Sequence, residues 1–592
     1  MKEILPERKE ASISEFFDKN RQMLGFDSPQ KALFMTVKEA VDNSLDACAD
    51  YAILPDITVI VKEEKKDVFK VYVEDNGPGI PRKDVENSFG KMLYGSRFFE
   101  ERQTRGQQGL GISAAILYAQ KTTGIPTEIV TKTADDITAY RFVLDIDIKK
   151  NSANTILLEP VIWDVKSGLK LTITLKGRYT TGRQSIEEYL RETALANPHS
   201  SFHIHLPDKD IEIERSVNEP PAIPISVKPH PHGVEFGDLV TILREEPGKR
   251  IENILEQRFS RVTKLVARSI VQKSGLEGKT VNMMTKDDFE RLHKTIMETE
   301  FMEPRKDCLS PIGSDSLFRS AIYTFKDYNP AYFSQPVTKG PFVYSGHPFL
   351  IEAIAIYGGD LPKEEQIKVL RFANRFPLLY QQGSCAITKA IASINWSQYG
   401  FSQPVKDQLP VGPLILAVHI ASTKIPFTSE AKEAIAQIPE IMDALDITLK
   451  AVARQIKTMK GKEARKNQVE EKFSLIEHIL PEIATKASKI LGLEAPDIKP
   501  VISKVMNVVA FREINGELYA ENFTGKECSF RVVIRGEKEF SDEVKGLKPF
   551  ERIKLNFPKE VVNSGEVYAD LAEPILLGAY PLPKVFERER ET

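Results

Sequence analysis

Glu39, Asp42 and Asn43 lie within the string EAVDNSLDA, residues 39–47. Residues three and four apart share a helix face, and Ala32, Leu33, Val37, Ala40 and Leu45 supply an apolar face for the same helix. The Asn43 carboxamide oxygen suits a hard cation such as Mg2+ beside a polyphosphate, because it ligates without adding negative charge. Glu39, one turn earlier, is placed to orient and deprotonate an attacking water. Taken alone, the segment reads equally as an exposed acidic helix face.

Two further strings carry nucleotide chemistry. In FKVYVEDNGPGIP, residues 69–81, Val71 and Val73 alternate as in a strand and Asp75 ends it. Gly77 and Gly79 permit a tight turn with close backbone approach. A carboxylate at that point accepts a hydrogen bond from the amino group of adenine and repels the carbonyl of guanine. As a single string it is also an ordinary Asp-Asn-Gly turn. In RGQQGLGISAA, residues 105–115, Gly106, Gly109 and Gly111 precede an apolar helix. Bare amides at a helix N-terminus cradle phosphate oxygens, and Lys91, Arg97, Arg102 and Arg105 add positive charge upstream. As a single string it is also a flexible glycine loop capping a helix. The GxxGxG spacing differs from the GxGxxG of dinucleotide folds. GLEGKT, residues 275–280, imitates a phosphate loop, but that pattern requires a glycine where Lys273 stands and a strand before it.

The three strings follow one another within about 75 residues: E-x-x-D-N on a helix, D-x-G-x-G at a strand end, G-x-x-G-x-G into a helix. This order resembles the GHKL ATPases, which include gyrase-type topoisomerases, heat-shock chaperones of that fold, mismatch-repair proteins and histidine kinases. The resemblance implies the GHKL (Bergerat) α/β sandwich, ATP as nucleotide, Glu39 as catalytic base and Asn43 as the Mg2+ ligand. It implies an ATP-binding set of Asn43, Asp75, Gly77, Gly79, Ser96, Arg97, Arg105, Gly106, Gln107, Gln108, Gly109, Leu110, Gly111 and Ile112. GLKLTI, residues 168–173, stands where the family often carries a Gly-Thr pair, with Leu169 at the Thr position, and is left out of the site.

KPHPHGVEFGDL (228–239), CLSPIG (308–313), RFANRFPLLYQQG (371–383) and HIASTKIPFTSEAKEAIA (419–436) are similar to the B subunits of type IIB DNA topoisomerases, the topoisomerase VI class. That resemblance implies an α+β multidomain chain. Its parts are an ATPase domain over 1–228, a helix–two-turn–helix insert over 229–308, an α/β transducer over 309–490 ending in a long helix, and an immunoglobulin-like β-sandwich over 500–592. It implies Lys424, in the loop Ser422-Thr423-Lys424, as the catalytic transducer lysine that reaches the γ-phosphate. The implied partners are the topoisomerase VI A subunit, which carries the DNA-cleaving tyrosine in an A2B2 assembly, a second B copy in an ATP-dependent dimer, and double-stranded DNA. The alternative is a stand-alone GHKL ATPase of chaperone or mismatch-repair type.

The elements that must position these residues are legible in outline. The chain has 592 residues, 41% hydrophobic and 28% charged, a globular composition. Lys+Arg 81 against Asp+Glu 84 excludes a uniformly basic, histone-like protein. Four scattered cysteines without a CxxC exclude a disulfide framework and a zinc ribbon. The charged N-terminus has no apolar signal core. The longest apolar run, 413–421, is broken by His419 and is about half the ~20 residues a membrane span needs. A soluble cytoplasmic protein with no membrane contact is expected. Five prolines in PPAIPISVKPHP, residues 220–231, mark a domain boundary. Helical periodicity follows over 236–300, strands and short helices over 314–422, and helix over 429–491 with Pro439, Gly461 and Pro481 as kinks or breaks. The stretch Lys450–Lys472 holds eight basic and three acidic residues, a net of +5; it reads either as a solvated helix face or as a track for DNA phosphates. Beyond Gly492 the period becomes two, in Phe530–Gly536 and Glu566–Ala572, with Asn515-Gly516 as a hairpin turn, giving a small β-sandwich. His203, His205, His230 and His232 read as structural rather than metal-ligating.

Overall fold

The structure is a computed structural model. It describes residues 19–592 apart from 92–93, 95–100, 107–108, 148–151, 430, 495, 497–508, 515–516, 523, 525, 536–538, 559–565, 570–574, 579–583 and 586–592. Contacts divide the chain into two compact units, Met1–Ile456 and Lys457–Thr592.

Alternating apolar residues build the first sheet. Ile57, Val59 and Val61 of β1 (Asp56–Lys65) and Phe69, Val71 and Val73 of β2 (Val68–Asp75) are buried on one face. The sheet is completed by β3 (Thr127–Lys132), β4 (Ala139–Asp147), β5 (Ser152–Val161), β6 (Gly168–Lys176), β7 (Ser201–His205) and β8 (Asp210–Ile213). The order is β5-β4-β3-β6-β2-β1-β7-β8, antiparallel except for the β1–β7 pair. Helices α1 (Pro29–Asp50), α2 (Val85–Gly90), α3 (Gly111–Thr123) and α4 (Ile186–Ala196) share its core. α1 starts where Ser28 accepts from the Lys31 amide and Pro29 takes the first helical position. Its Leu33, Val37, Val41 and Leu45 are almost fully buried on the sheet, which turns Glu39 and Asn43 toward the opposite side.

After the proline-rich stretch come α5 (Phe236–Arg244), α6 (Ile251–Arg258), α7 (Lys264–Lys273) and α8 (Lys286–Glu298) around a core of their own. α8 opens with a capping box between Thr285 and Asp288. GLEGKT follows α7 rather than a strand, so it has no phosphate-loop geometry.

A second sheet follows α9 (Ser314–Phe325). It consists of β9 (Tyr332–Phe333), β10 (Val337–Tyr344), β11 (His347–Tyr357), β12 (Lys368–Ala373), β13 (Phe376–Pro377) and, after α10 (Ala386–Ser393), β14 (Leu414–Ser422). The order is β10-β11-β14-β12-β13, with β9 on β11. Every residue of β14 is buried, as a mostly apolar strand at the centre of a covered sheet requires. Across β11 and β14, Glu352 meets His419 at 2.8 Å. Burial would raise the Glu352 carboxyl, but His419 and the Ile312 and Gly313 amides outweigh it and hold it below the usual range. α11 (Pro439–Leu491) then packs Ile441, Leu445, Leu449, Val452 and Ile456 against this sheet at helical spacing.

The expected helix over 429–491 starts ten residues late. Residues 431–438 form an irregular loop whose backbone bonds go elsewhere: Ala386 N to Ile435 O, Thr428 N to Ala434 O and Ala436 N to Pro426 O. Ala434 and Ile435 are fully buried, so packing overrides the helix propensity of Glu, Lys and Ala. Pro439 is the first helical residue rather than a kink, and Gly461 and Pro481 lie inside the helix. Most side chains of 462–472 fall outside the described residues.

In the second unit, β15 (Val509–Ile514), β16 (Glu517–Asn522), β17 (Cys528–Arg535), β18 (Glu539–Leu547), β19 (Arg552–Lys554), β20 (Glu566–Ala569), β21 (Ile575–Gly578) and β22 (Lys584–Val585) make two four-stranded sheets. Their orders are β19-β16-β15-β21 and β18-β17-β20-β22. The sheets share one core, in which the Phe511 and Phe530 ring centroids lie 5.7 Å apart, edge to face. The Asn515-Gly516 turn lies outside the described residues; the strands beside it pair with Ile514 opposite Glu517.

All the nucleotide motifs lie in the first unit. A chain ending before Val509 should therefore hydrolyse ATP at the full-length rate in a steady-state assay. A folded truncation that has lost hydrolysis would tie the second unit to the chemistry.

Candidate active site

α1 crosses beneath a cavity of about 740 Å³, within the usual range for a bound small molecule. Glu39, Asn43, Asp75, Gly79, Gly106, Gly109, Leu110, Gly111 and Ile112 all line it. Asn43 is exposed to it, whereas Asp75 at its floor is 4% exposed.

Asp75 is held from two sides. Ser44 Oγ donates to its Oδ2 at 2.6 Å, and the Gly77 amide donates to its Oδ1 at 2.9 Å. Burial raises its pKa; the Ser44, Gly77 and Leu169 bonds oppose that without cancelling it. Gly77 therefore serves Asp75 and does not line the cavity. Gly79 has φ +72°, and a Cβ there would lie 2.2 Å from the Lys132 carbonyl oxygen, so only glycine fits. The next turn residue, Ile80, is pinned through its amide and carbonyl to the Thr131 hydroxyl on β3. Leu169, which stands where the family often has threonine, also lines the cavity, opposite Asp75 in the β2–β6 register. It borders the site with an apolar side chain.

Gly111, at the start of α3, lies against Glu39. A Cβ on Gly111 would sit 1.8 Å from Glu39 Oε2, so the bare backbone of this position lets the α3 N-terminus approach the carboxylate. Glu39 Oε1 is 3.2 Å from the Lys38 ammonium, which also bonds Asp42 at 2.8 Å. Burial opposes the Lys38 charge, but Asp42 and Glu39 outweigh it and hold the ammonium above the ordinary lysine range.

Two of the expected site residues lie away from the cavity. The Arg105 side chain turns away from the cavity: it is 7% exposed, pairs with Asp46 at 2.7 Å and donates to Asn197. A buried guanidinium needs a carboxylate, and Asp46 on α1 supplies one that also accepts from the Gly106 amide at 3.3 Å. Asp46 thereby ties both Arg105 and the Gly106 amide to α1. Lys424 is exposed and does not line the cavity; its backbone closes a turn on Ser422. The lysine that does line it is Lys432, eight residues on, whose ammonium donates to the Arg105 carbonyl at 2.7 Å. Burial and then the Lys38 charge push Lys432 down, with Glu39, Asp42 and Asp46 opposing. Lys432 has φ +52°, a conformation held by the loop around it. The signal available in sequence was a second lysine in the same motif.

Ser96, Arg97, Gln107 and Gln108 lie outside the described residues. The four histidines bond carboxylates or backbone carbonyls. Among the described residues no group of three His, Cys, Asp or Glu is arranged to hold a metal. None of the described helices is long and apolar enough to cross a membrane.

A two-layer α/β domain with this cavity belongs to the ATPase class of histidine kinases, DNA gyrase B and HSP90: the family model of that description matches residues 31–170. Residues 304–472 match the model described as topoisomerase VI B subunit, transducer. The B subunit of type 2 DNA topoisomerase 6 from Archaeoglobus fulgidus is 42% identical, covering 93% of this chain and 89% of that one. The protein of the same name from Methanococcoides burtonii is 40% identical over 91% and 88%. That from Saccharolobus islandicus is 34% identical over 88% and 98%. Among solved structures, the gyrase B subunit from Myxococcus xanthus has a TM-score of 0.36 at 10% identity, covering 74% of this chain and 95% of that one. The chain belongs to the family of type 2 DNA topoisomerase 6 B subunits, and is the ATP-hydrolysing component of that type II enzyme. The transducer match sets the stand-alone ATPase alternative aside.

Because the Asp75 pKa is raised, the folded chain binds its proton more tightly than the unfolded chain does. The charged carboxylate therefore costs stability once pH rises above the unfolded value. Asp75→Asn should leave the melting temperature of the ligand-free protein at neutral pH no lower, while weakening ATP binding, since a charge-assisted acceptor becomes a neutral amide. Calorimetric melting and equilibrium nucleotide binding check the pair of effects; ATP and GTP binding equally well to the unaltered chain would contradict the adenine assignment.

Proposed function

We propose that ATP binds in the cavity over α1 with its adenine amino group on Asp75 and its phosphates along Gly106–Ile112. The observation that carries this reading is the convergence of Glu39, Asn43, Asp75 and Lys432 on one cavity. Asn43 offers one neutral oxygen, which fits a Mg2+ ion whose other ligands are phosphate oxygens and water. When bound, that ion supplies charge neutralisation of the triphosphate. Glu39 takes the proton of the attacking water as its oxygen bonds to the γ-phosphorus and the bond to the β–γ bridging oxygen breaks, giving ADP and inorganic phosphate. Lys432, whose ammonium donates to the Arg105 carbonyl, exchanges that hydrogen bond for one to the γ-phosphate. A contact made to ATP and absent with ADP reports hydrolysis to the second sheet.

At the level of the assembly, ATP closes two copies of this chain around a DNA duplex. A partner chain with the cleaving tyrosine, the A subunit of the enzyme, opens a second duplex, and hydrolysis resets the gate. The assembly is A2B2, acts in the cytoplasm, and relaxes or decatenates DNA. The second unit is an immunoglobulin-like sandwich. Relaxation of supercoiled DNA by the chain with a tyrosine-bearing partner, and its absence with either alone, tests this reading.

Two substitutions separate binding from chemistry. Glu39→Ala should lower single-turnover hydrolysis by about 10²–10⁴-fold, the usual contribution of a positioned base, and retain ATP affinity. Asn43→Ala should instead lose Mg2+-dependent nucleotide binding.

The two lysines are distinguished the same way. Lys432→Met should impair hydrolysis and leave ADP affinity unchanged, while Lys424→Met hydrolyses ATP like the unaltered chain. The reverse result would return the γ-phosphate contact to Lys424.

A further inference from the structure

Lys38 does not line the nucleotide cavity, yet it is buried and touches the base. Its ammonium lies 3.2 Å from Glu39 Oε1 and 2.8 Å from Asp42 Oδ2. The other Asp42 oxygen accepts from the Tyr189 hydroxyl at 2.9 Å, and Tyr189 on α4 is fully buried. A line of charge-assisted bonds therefore runs from α4 through Asp42 and Lys38 to one oxygen of Glu39. The other Glu39 oxygen faces Gly111. One oxygen is tethered and the other is presented to the phosphate loop.

Another side of the ammonium is covered by the second sheet. The Phe376 ring of β13, 1% exposed, has its centroid 5.2 Å from Lys38 Nζ. Phe376 packs on Phe427 with centroids 5.9 Å apart, and Phe427 bridges to Ile435. Phe427 and Ile435 flank the loop that carries Lys432. Seven residues back on the same face of α1, Lys31 repeats the arrangement: its ammonium lies 5.1 Å from the Tyr380 centroid and 3.2 Å from Glu433. α1 is thus fastened through two lysines to β13 and to the segments that carry Tyr380 and Glu433, and one of the lysines also holds Glu39.

A buried ammonium is costly unless paired, and an apolar side chain of similar length would fill the same space. Packing alone does not call for lysine here.

We propose that Lys38 is a positioning residue for hydrolysis: clamped by Asp42 and roofed by Phe376, it fixes Glu39 for attack only while the second sheet is seated on α1. The proposal rests on reading Glu39 as the base. It makes the same sheet that presents Lys432 to the phosphate also set the orientation of the group that activates water.

The test uses the full chain, with single-turnover ATP hydrolysis and equilibrium binding of a non-hydrolysable ATP analogue. Lys38→Met should lower hydrolysis by about 10²-fold, the cost of a misplaced reacting group, with analogue affinity unchanged. Lys38→Arg should restore most of the rate. Phe376→Leu should lower hydrolysis without lowering analogue affinity. Glu39→Gln combined with Lys38→Met should hydrolyse no more slowly than Glu39→Gln alone, because a tether has no effect without the group it holds. If Lys38→Met does not fold, Lys38→Met/Asp42→Asn removes both charges together and takes its place. Wild-type hydrolysis by Lys38→Met, analogue affinity falling in step with the rate, or a further loss in the combined variant overturns the tether. Wild-type hydrolysis by Phe376→Leu overturns its dependence on the second sheet. Glu39→Gln hydrolysing at the wild-type rate overturns the base assignment and the tether with it, whereas an inactive Glu39→Gln beside a fully active Lys38→Met overturns the tether alone.

Discussion

Charge taken out of water has to be paired, and α1 carries charge into the interior. Lys38, Asp42 and Asp46 are each less than 10% exposed. Each finds a partner that fixes something else: Lys38 holds Glu39, Asp42 holds Tyr189, and Asp46 holds Arg105 together with the Gly106 amide. Removing one member of such a buried pair costs about 3–5 kcal/mol, because the other charge is left unpaired. The requirement that stabilises the helix therefore also holds Glu39 and the Gly106 amide in place.

The same requirement joins the nucleotide cavity to the second sheet. Asn374 donates to the Thr104 carbonyl, one residue before Arg105, and to the Ser422 carbonyl at the end of β14. Asn197 accepts from Arg105 and donates to the Arg375 carbonyl. The Arg375 amide in turn donates to His419, the partner of Glu352. Arg375 is buried beside Arg105, and burial lowers its pKa to about 9. A polar network this enclosed tolerates few arrangements, since each unmet donor or acceptor carries its own desolvation cost. Lys432 joins this network through its bond to the Arg105 carbonyl.

The class of the site was legible because its three motifs are local. Glu39 and Asn43 share a face through helix geometry alone, Asp75 ends a strand that its own alternation defines, and the glycines at 106, 109 and 111 precede an apolar helix. Strand-like runs at 414–421 and 530–536 and the helical stretch over 236–300 were legible for the same reason. Residues 431–438 were not. Their composition favours helix, and what prevents it is the burial of Ala434 and Ile435 against residues such as Ala386, a contact no window of neighbouring residues contains.

The sequence by itself determined the nucleotide chemistry, the alternation of helix and strand, and the family, because each rests on residue types at short, regular spacing. Only the packed fold set which lysine lines the cavity, that Arg105 turns inward to Asp46, and that Lys38 lies between Glu39 and Phe376. Those outcomes pair residues tens to hundreds of positions apart. They depend on which charges are desolvated together and on the path of one loop, and neither is set until the two sheets have packed.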